Sequence, residues 1–270
     1  MKHGVRIILS VVAVVLLIMW GVKSGFFYQW FGKINMLTPI YDISDQQVFD
    51  RNHEIAEGDG ARFEFTDNVQ NLHIEAGGCQ FQFCISDKDY LYVEGENCGK
   101  LQCYVEKDTG YVKVVQKGKN EDAIEKCKVK LWIPGGYHFE DVQIEFGAGA
   151  LSIEELNAKQ AECKVGAGEL IAKGVHCEEL KVDIGVGNVE LTVEEIQKLS
   201  AKCAVGNATI HLSGEETDYN YCVEAAAGNI SIGEKSFGGV AEKQDINNGS
   251  GKNVYLDCAL GNIMLQFGGA

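Results

Sequence analysis

Apolar and polar residues alternate in short runs through most of the chain beyond residue 60. LHIEA, CQFQF, YLYVEG, LQCYVE, YVKVVQ and CKVKLWIP each repeat with a period of two. That period places every second side chain on one face and predicts half-buried β-strands. No later segment carries a long helical period, EELNAKQ and VEEIQKL reaching about two turns each.

From residue 142 the strands fall into register. VQIEFGAGALSIE, AECKVGAGELIAK, LKVDIGVGNVELTV and LSAKCAVGNATIHL carry equivalent glycines at Gly149, Gly168, Gly187 and Gly206, a constant step of 19 residues. Looser copies follow at Gly228 (AAAGNISIG) and Gly261 (ALGNIMLQF), and an early one is expected at Gly77. Stacking the copies makes apolar columns: Ile144, Cys163, Val182, Ala201, then Phe146, Val165, Ile184, Cys203, and beyond the glycine Leu151, Leu170, Val189, Ala208. Between them Glu145, Lys164, Asp183 and Lys202 alternate in charge, a favourable ladder if the copies are neighbouring parallel strands. The glycine shifts the alternation by one residue, as a bend does.

The expected fold is all-β, a parallel β-solenoid (β-helix-like) with rungs of about 19 residues that bury their apolar faces only by stacking. The strict repeats are 142–212 and the looser rungs 61–141 and 213–270. A β-sandwich is the alternative, and the constant spacing argues against it. Open solenoid ends need caps. The strands of 61–133 are expected to form one, with 234–253 a long polar loop before the last rung.

Ahead of the repeats, Lys2 and Arg6 precede Ile7–Val22, sixteen residues without a charge, and the aromatics of GFFYQWF follow. This predicts one N-terminal transmembrane helix, a signal-anchor about 24 Å long with its basic end in the cytoplasm. A cleaved signal peptide is the rival, but no A-x-A precedes a polar start. The expected domains are 1–33, cytoplasmic tip and anchor; 34–60, a polar stalk; and 61–270, an exported β-domain of a single-pass membrane protein.

Composition narrows the partners. The chain has 270 residues, 46% hydrophobic and 23% charged, which is ordinary globular chemistry. Its 32 glycines accompany only 2 prolines, so they mark bends and close approaches rather than a linker. Net charge is −15, and no Asp or Glu occurs before Asp42. So acidic an exported part excludes a nucleic-acid partner, which needs a basic footprint.

Repeated lines such as LKVDIGVGNVELTV behind a single anchor resemble the bacterial putative-adhesin β-strand-repeat family, a toast-rack-like family of unknown function. The resemblance spans roughly residues 70–266 and is strongest in 142–212. It implies a non-enzymatic surface module and supplies no catalytic residue or cofactor. Related toast-rack domains accompany membrane regulators of envelope stress. This chain departs from the family's commoner lines in its ten cysteines and in Asn188, Asn207, Asn229 and Asn262 after the glycine.

Candidate chemistry is sparse. Cys79, Cys84, Cys98 and Cys103, spaced as two C-x4-C pairs outside the strict repeat, are the disulfide candidates, and zinc spacing is poor. Cys163, Cys203 and Cys258 read as core thiols, with the rung of Ala225 expected between the last two. The six histidines form no H-x-x-x-H, no G-x-G opens a helix as G-x-G-x-x-G, and no G-x-S-x-G occurs. Asp183 beside Lys164 and Lys202 reads as a salt-bridge ladder. A polysaccharide-active enzyme, which would depend on Asp183 or Glu145, is the remote alternative. The expected function is therefore adhesion or scaffolding at the cell envelope, with the bilayer contacted through residues 7–31 and an unidentified envelope protein or polymer as partner. A sensor or regulatory subunit of an envelope-stress system is the alternative.

Overall fold

The computed structural model describes residues 55–56, 61–65, 68–98, 100–115, 126–238 and 242–268. The anchor and most of the stalk expected for 1–60 lie outside them. Among the described residues no helix is long and apolar enough to cross a membrane.

The strands are β1 (Ile55–Ala56), β2 (Ala61–Glu64), β3 (Asn71–Ala76), β4 (Cys79–Ser86), β5 (Tyr92–Glu96), β6 (Lys100–Glu106), β7 (Thr109–Val115) and β8 (Lys128–Pro134). The long β9 (His138–Ile153), β10 (Leu156–Glu195) and β11 (Lys198–Leu212) follow, then β12 (Tyr219–Ala225), β13 (Asn229–Ile232), β14 (Lys235–Gly238), β15 (Glu242–Ile246) and β16 (Lys252–Phe267). The long strands run on through the glycine bends, so each rung has two arms, and β10 alone holds two rungs. Parallel pairing is in strict register: Ile144 faces Cys163, Val182 faces Ala201, and Cys203 faces Cys258.

The glycine column has a steric cause. Gly149, Gly168, Gly187, Gly206 and Gly261 take φ between 122° and 152°. A Cβ at Gly187 would stand 1.8 Å from the Gly168 carbonyl oxygen of the rung below. Only glycine lets the backbones stack at this bend. Two expected copies differ. Gly228 sits beside Gly261 in register, since Asn229 faces Asn262, but it lacks the left-handed φ, the strand being interrupted between β12 and β13. The position over Gly149 belongs to Cys79, with Gly77 lying over Gly147.

The inward columns form one core. Ile144, Phe146, Val165, Val182, Ile184, Cys203, Leu151, Leu170 and Val189 are all at most 4% exposed. Each fully buried branched side chain contributes about 1.5–3 kcal/mol, so adjacent rungs stabilise one another.

The stack is not strictly sequential, which corrects the simple solenoid. β3 and β4 pair with β9, while the later β7 and β8 lie outside them. At the other end β16 inserts between β11 and β12. Cys203 and Cys258 are therefore direct neighbours, with Ala225 beyond Cys258 rather than between them. Nor is 234–253 a loop. It holds β14 and β15, which pair antiparallel with β13 and β12 and cap that end with the charged sequence EKQDI. Antiparallel β6 and β5 lie on β7 and β8 at the first end, and the short β1 and β2 pair antiparallel outside them as its edge strands. Charged, short edge strands of this kind prevent further pairing.

Candidate functional site

Outward residues of the first arm build a continuous polar face. One column begins at Gln102, which is buried, and continues through Lys113, Glu75 and Glu145, on β6, β7, β3 and β9. Lys164 and Asp183 on β10 continue it, then Lys202, Asp257, Glu224 and Lys243 on β11, β16, β12 and β15. At about 4.8 Å per strand, those ten positions extend roughly 43 Å. The predicted ladder of Glu145, Lys164, Asp183 and Lys202 is the middle of this column.

Its ion pairs run diagonally as well as along the column. Lys164 Nζ lies 3.5 Å from Glu145 and 3.4 Å from Glu162 in the adjacent column. Lys181 Nζ reaches Glu162 at 2.6 Å and Asp183 Oδ2 at 3.5 Å. Asp183 is 9% exposed, and its Oδ1 is buried without a hydrogen-bond partner. Lys202 leans over the Tyr255 ring, 5.6 Å from its centroid, instead of closing on Asp183. The Tyr255 hydroxyl donates to Glu224 Oε2 at 3.2 Å, and Lys243 Nζ sits 2.6 Å from Glu224 Oε1. Burial, with the Glu224 charge adding to it, raises the Asp257 carboxyl above its ordinary range, while Lys243 lowers Glu224.

Toward the other end Glu75 is held at about 2, first by its hydrogen bond with His73 and also by Lys113, against the effect of burial. His73 Nε2 lies 3.4 Å from Glu75 Oε1 and Lys113 Nζ 2.7 Å from Oε2. The same hydrogen bond raises His73. Beside them Tyr104 and Tyr111 stack with centroids 4.7 Å apart and planes at 10°, and His73 lies 5.4 Å from Tyr111. Aromatic faces of this kind suit flat apolar surfaces, including those of sugars and bases. From the middle rungs to the opposite end an open groove of about 660 Å3 runs past Lys181, Lys198, Tyr221, Tyr255, Asp245 and Asn247. Paired charges, stacked rings and a groove can hold a ligand by hydrogen bonds and stacking. Among the described residues no group of three or more His, Cys, Asp or Glu is placed to hold a metal ion.

The repeat asparagines serve the stack. Asn207 Nδ2 donates to Asn188 Oδ1 at 3.3 Å and Asn262 Nδ2 to Asn207 Oδ1 at 2.9 Å, a ladder beside the glycine bend. The disulfide candidates are placed otherwise than their spacing suggested. All ten cysteines are thiols. Cys79 and Cys84 share β4 five residues apart, so their side chains leave opposite faces. Cys98 meets Cys127 rather than Cys103, with sulfurs 3.1 Å apart. The His73–Glu75–Lys113 and Tyr255–Glu224–Lys243 groups had no signal in the sequence beyond alternation, because their members come from separate strands.

The Toastrack DUF4097 family model matches residues 69–252. No curated protein matches the chain. Among solved structures, a putative cell adhesion protein from Clostridium sporogenes ATCC 15579 is 12% identical, with a TM-score of 0.42 over 80% of this chain and 99% of that one. A putative adhesin from Bacteroides fragilis NCTC 9343 is 14% identical, with a TM-score of 0.33 over 78% and 97%. A putative lipid binding protein from Parabacteroides distasonis ATCC 8503 is 14% identical, with a TM-score of 0.32 over 78% and 98%.

Proposed function

This chain belongs to the Toastrack family, and on that footing we propose that it is a non-enzymatic β-repeat module for adhesion and scaffolding at the bacterial cell envelope. In this reading residues 7–31 hold it in the bilayer and the β-domain faces outward. The observation that carries it is the polar column of ten residues across the stack, flanked by the Tyr104–Tyr111 pair and the groove at Tyr255. A repeat face of roughly 43 Å matches an extended polymer better than a small substrate. Its acids are mostly paired with lysines along or across the column, which suits a structural and binding role more than proton transfer.

Crosslinking in cells tests the reading. The full-length protein, a Tyr104→Ala/Tyr111→Ala form and a form with residues 7–31 exchanged for an unrelated anchor are compared. Capture of wall polymer or a foreign surface protein, lost with the tyrosines and indifferent to the anchor, is the expected result. Capture of one membrane protein that needs the native anchor sequence would overturn it in favour of a regulatory subunit.

A further inference from the structure

We propose that Cys98 and Cys127 form a covalent modification site, converting to an intrachain disulfide when the folded protein meets a disulfide oxidant. The inference stands apart from the adhesion reading and needs no ligand on the polar face.

The geometry comes from where three strands end. β4 and β8 run parallel with Gln80 facing Lys128, which puts Cys79 beside Cys127, and Gln80 N donates to Cys127 O at 2.8 Å. β5 pairs antiparallel with β8 as far as Glu96 facing Lys128. The chain then turns at Asn97, with φ 52°, and brings Cys98 back over the start of β8. The Cys98 thiol lies 3.4 Å from Glu96 O and 3.6 Å from Lys128 O, and Cys127 Sγ donates to Cys98 Sγ at 3.1 Å. Gly95 leaves the room, since a Cβ there would lie 3.4 Å from that sulfur and 2.9 Å from Leu101 Cδ2. About 1 Å of closure separates this contact from the ~2.05 Å of a disulfide bond.

The other cysteines are placed less well. Cys203 and Cys258 are in-register neighbours on parallel strands, and Cys79 and Cys127 stand side by side one residue before the parallel register of β4 and β8 begins. Such side chains leave the sheet side by side, and a disulfide needs Cβ vectors that converge. Cys98 approaches Cys127 from a turn and escapes that restriction. It is also 7% exposed, whereas Cys79 and Cys127 are fully buried, so it is the member an oxidant reaches first.

The reaction balances with oxidised glutathione. The Cys98 sulfur attacks one glutathione sulfur and releases a glutathione thiol. The Cys127 sulfur then attacks the Cys98 sulfur and the second glutathione leaves as a thiol. Two electrons pass to the oxidant, and the two cysteine protons end on the two glutathiones. Its hydrogen bond with the Cys79 thiol, with burial adding to it and the Cys98 hydrogen bond opposing it, pushes Cys127 up to about 12, which keeps it protonated at neutral pH and makes the second step the slow one.

The test is peptide mapping of the full-length, folded protein after oxidised glutathione, with alkylation under denaturing conditions. The expected result is a peptide joining Cys98 to Cys127, two hydrogens lighter, and eight titratable thiols in place of the ten now present. Cys79→Ser should leave the crosslink and Cys98→Ala remove it. Circular dichroism confirms that each variant folds, and the wild-type map decides without them. A wild-type crosslink to Cys79, Cys84 or Cys103, a mixed disulfide that persists at Cys98, or both thiols alkylated unlinked would each overturn the proposal.

Discussion

At Gly187 the backbone sits at φ 152°, with the Gly168 carbonyl where a β-carbon would have to go. Gly187→Ala should therefore lower unfolding stability by about 3 kcal/mol or more, as backbone clashes in a packed stack do. Gly249→Ala, at φ 73° with nothing near, should cost only about 1 kcal/mol; urea midpoints compare the two. The His73–Glu75–Lys113 group gives a pH signature with two limbs. Glu75 is depressed in the fold, so its contribution is complete above the ordinary carboxylate value and is lost as pH falls from 4.5 towards about 2. His73 is raised, so its contribution is complete below 6.5 and is lost as pH climbs through its higher folded value. With Glu75 about a third exposed, solvent screening limits each limb to about 1 kcal/mol. Denaturant titrations should find the pair strongest between about pH 4.5 and 6.5, and His73→Gln should abolish the alkaline limb and shrink the acid limb to what Lys113 alone supports.

Among the elements β16 carries the most consequence, because its two faces of hydrogen bonds join β11 to β12. Leu256→Ala, at a fully buried position, should cost about 2–5 kcal/mol. By hydrogen exchange it should lower protection in both β11 and β12 while leaving Asn71–Ser86 protected; loss confined to β16 would contradict this. The rungs of 142–212 were legible in the sequence because one period governs the glycines, the apolar columns and the charges together. The order of the outer rungs was not. Ala201 and Cys203 can pack equally well beside Leu256 and Cys258 or beside Val223 and Ala225, and Asn207 finds an asparagine in either neighbour. Alternation specifies which side chains point inward and is silent on which rung lies next. The thiol contact was hidden for a similar reason. C-x4-C measures distance along the chain, whereas Cys98 meets a residue 29 positions on, brought alongside by the antiparallel pairing of β5 with β8.

For the whole molecule, a net charge of −15 means long-range repulsion competes with short surface pairs worth about 0–1 kcal/mol each. Adding salt shortens the Debye length from ~30 Å at about 0.01 M to ~8 Å at about 0.15 M, which weakens repulsion between distant acids more than contacts at salt-bridge distance. The Tm should therefore rise over that range; a fall would mean that the charge column, and not the acidic excess, dominates the electrostatics. The inserted β16 also has a consequence in time. During synthesis β11 emerges with an open edge, and β12 to β15 emerge before the strand that must lie against it. Cys203 waits 55 residues for Cys258, several seconds at translation speeds of about 5–20 residues per second, where the rungs of 142–212 wait 19. A ribosome that stops short of residue 252 releases a chain with two unjoined halves and two sticky strand borders, so full translation through β16 acts as the proofreading step for this domain.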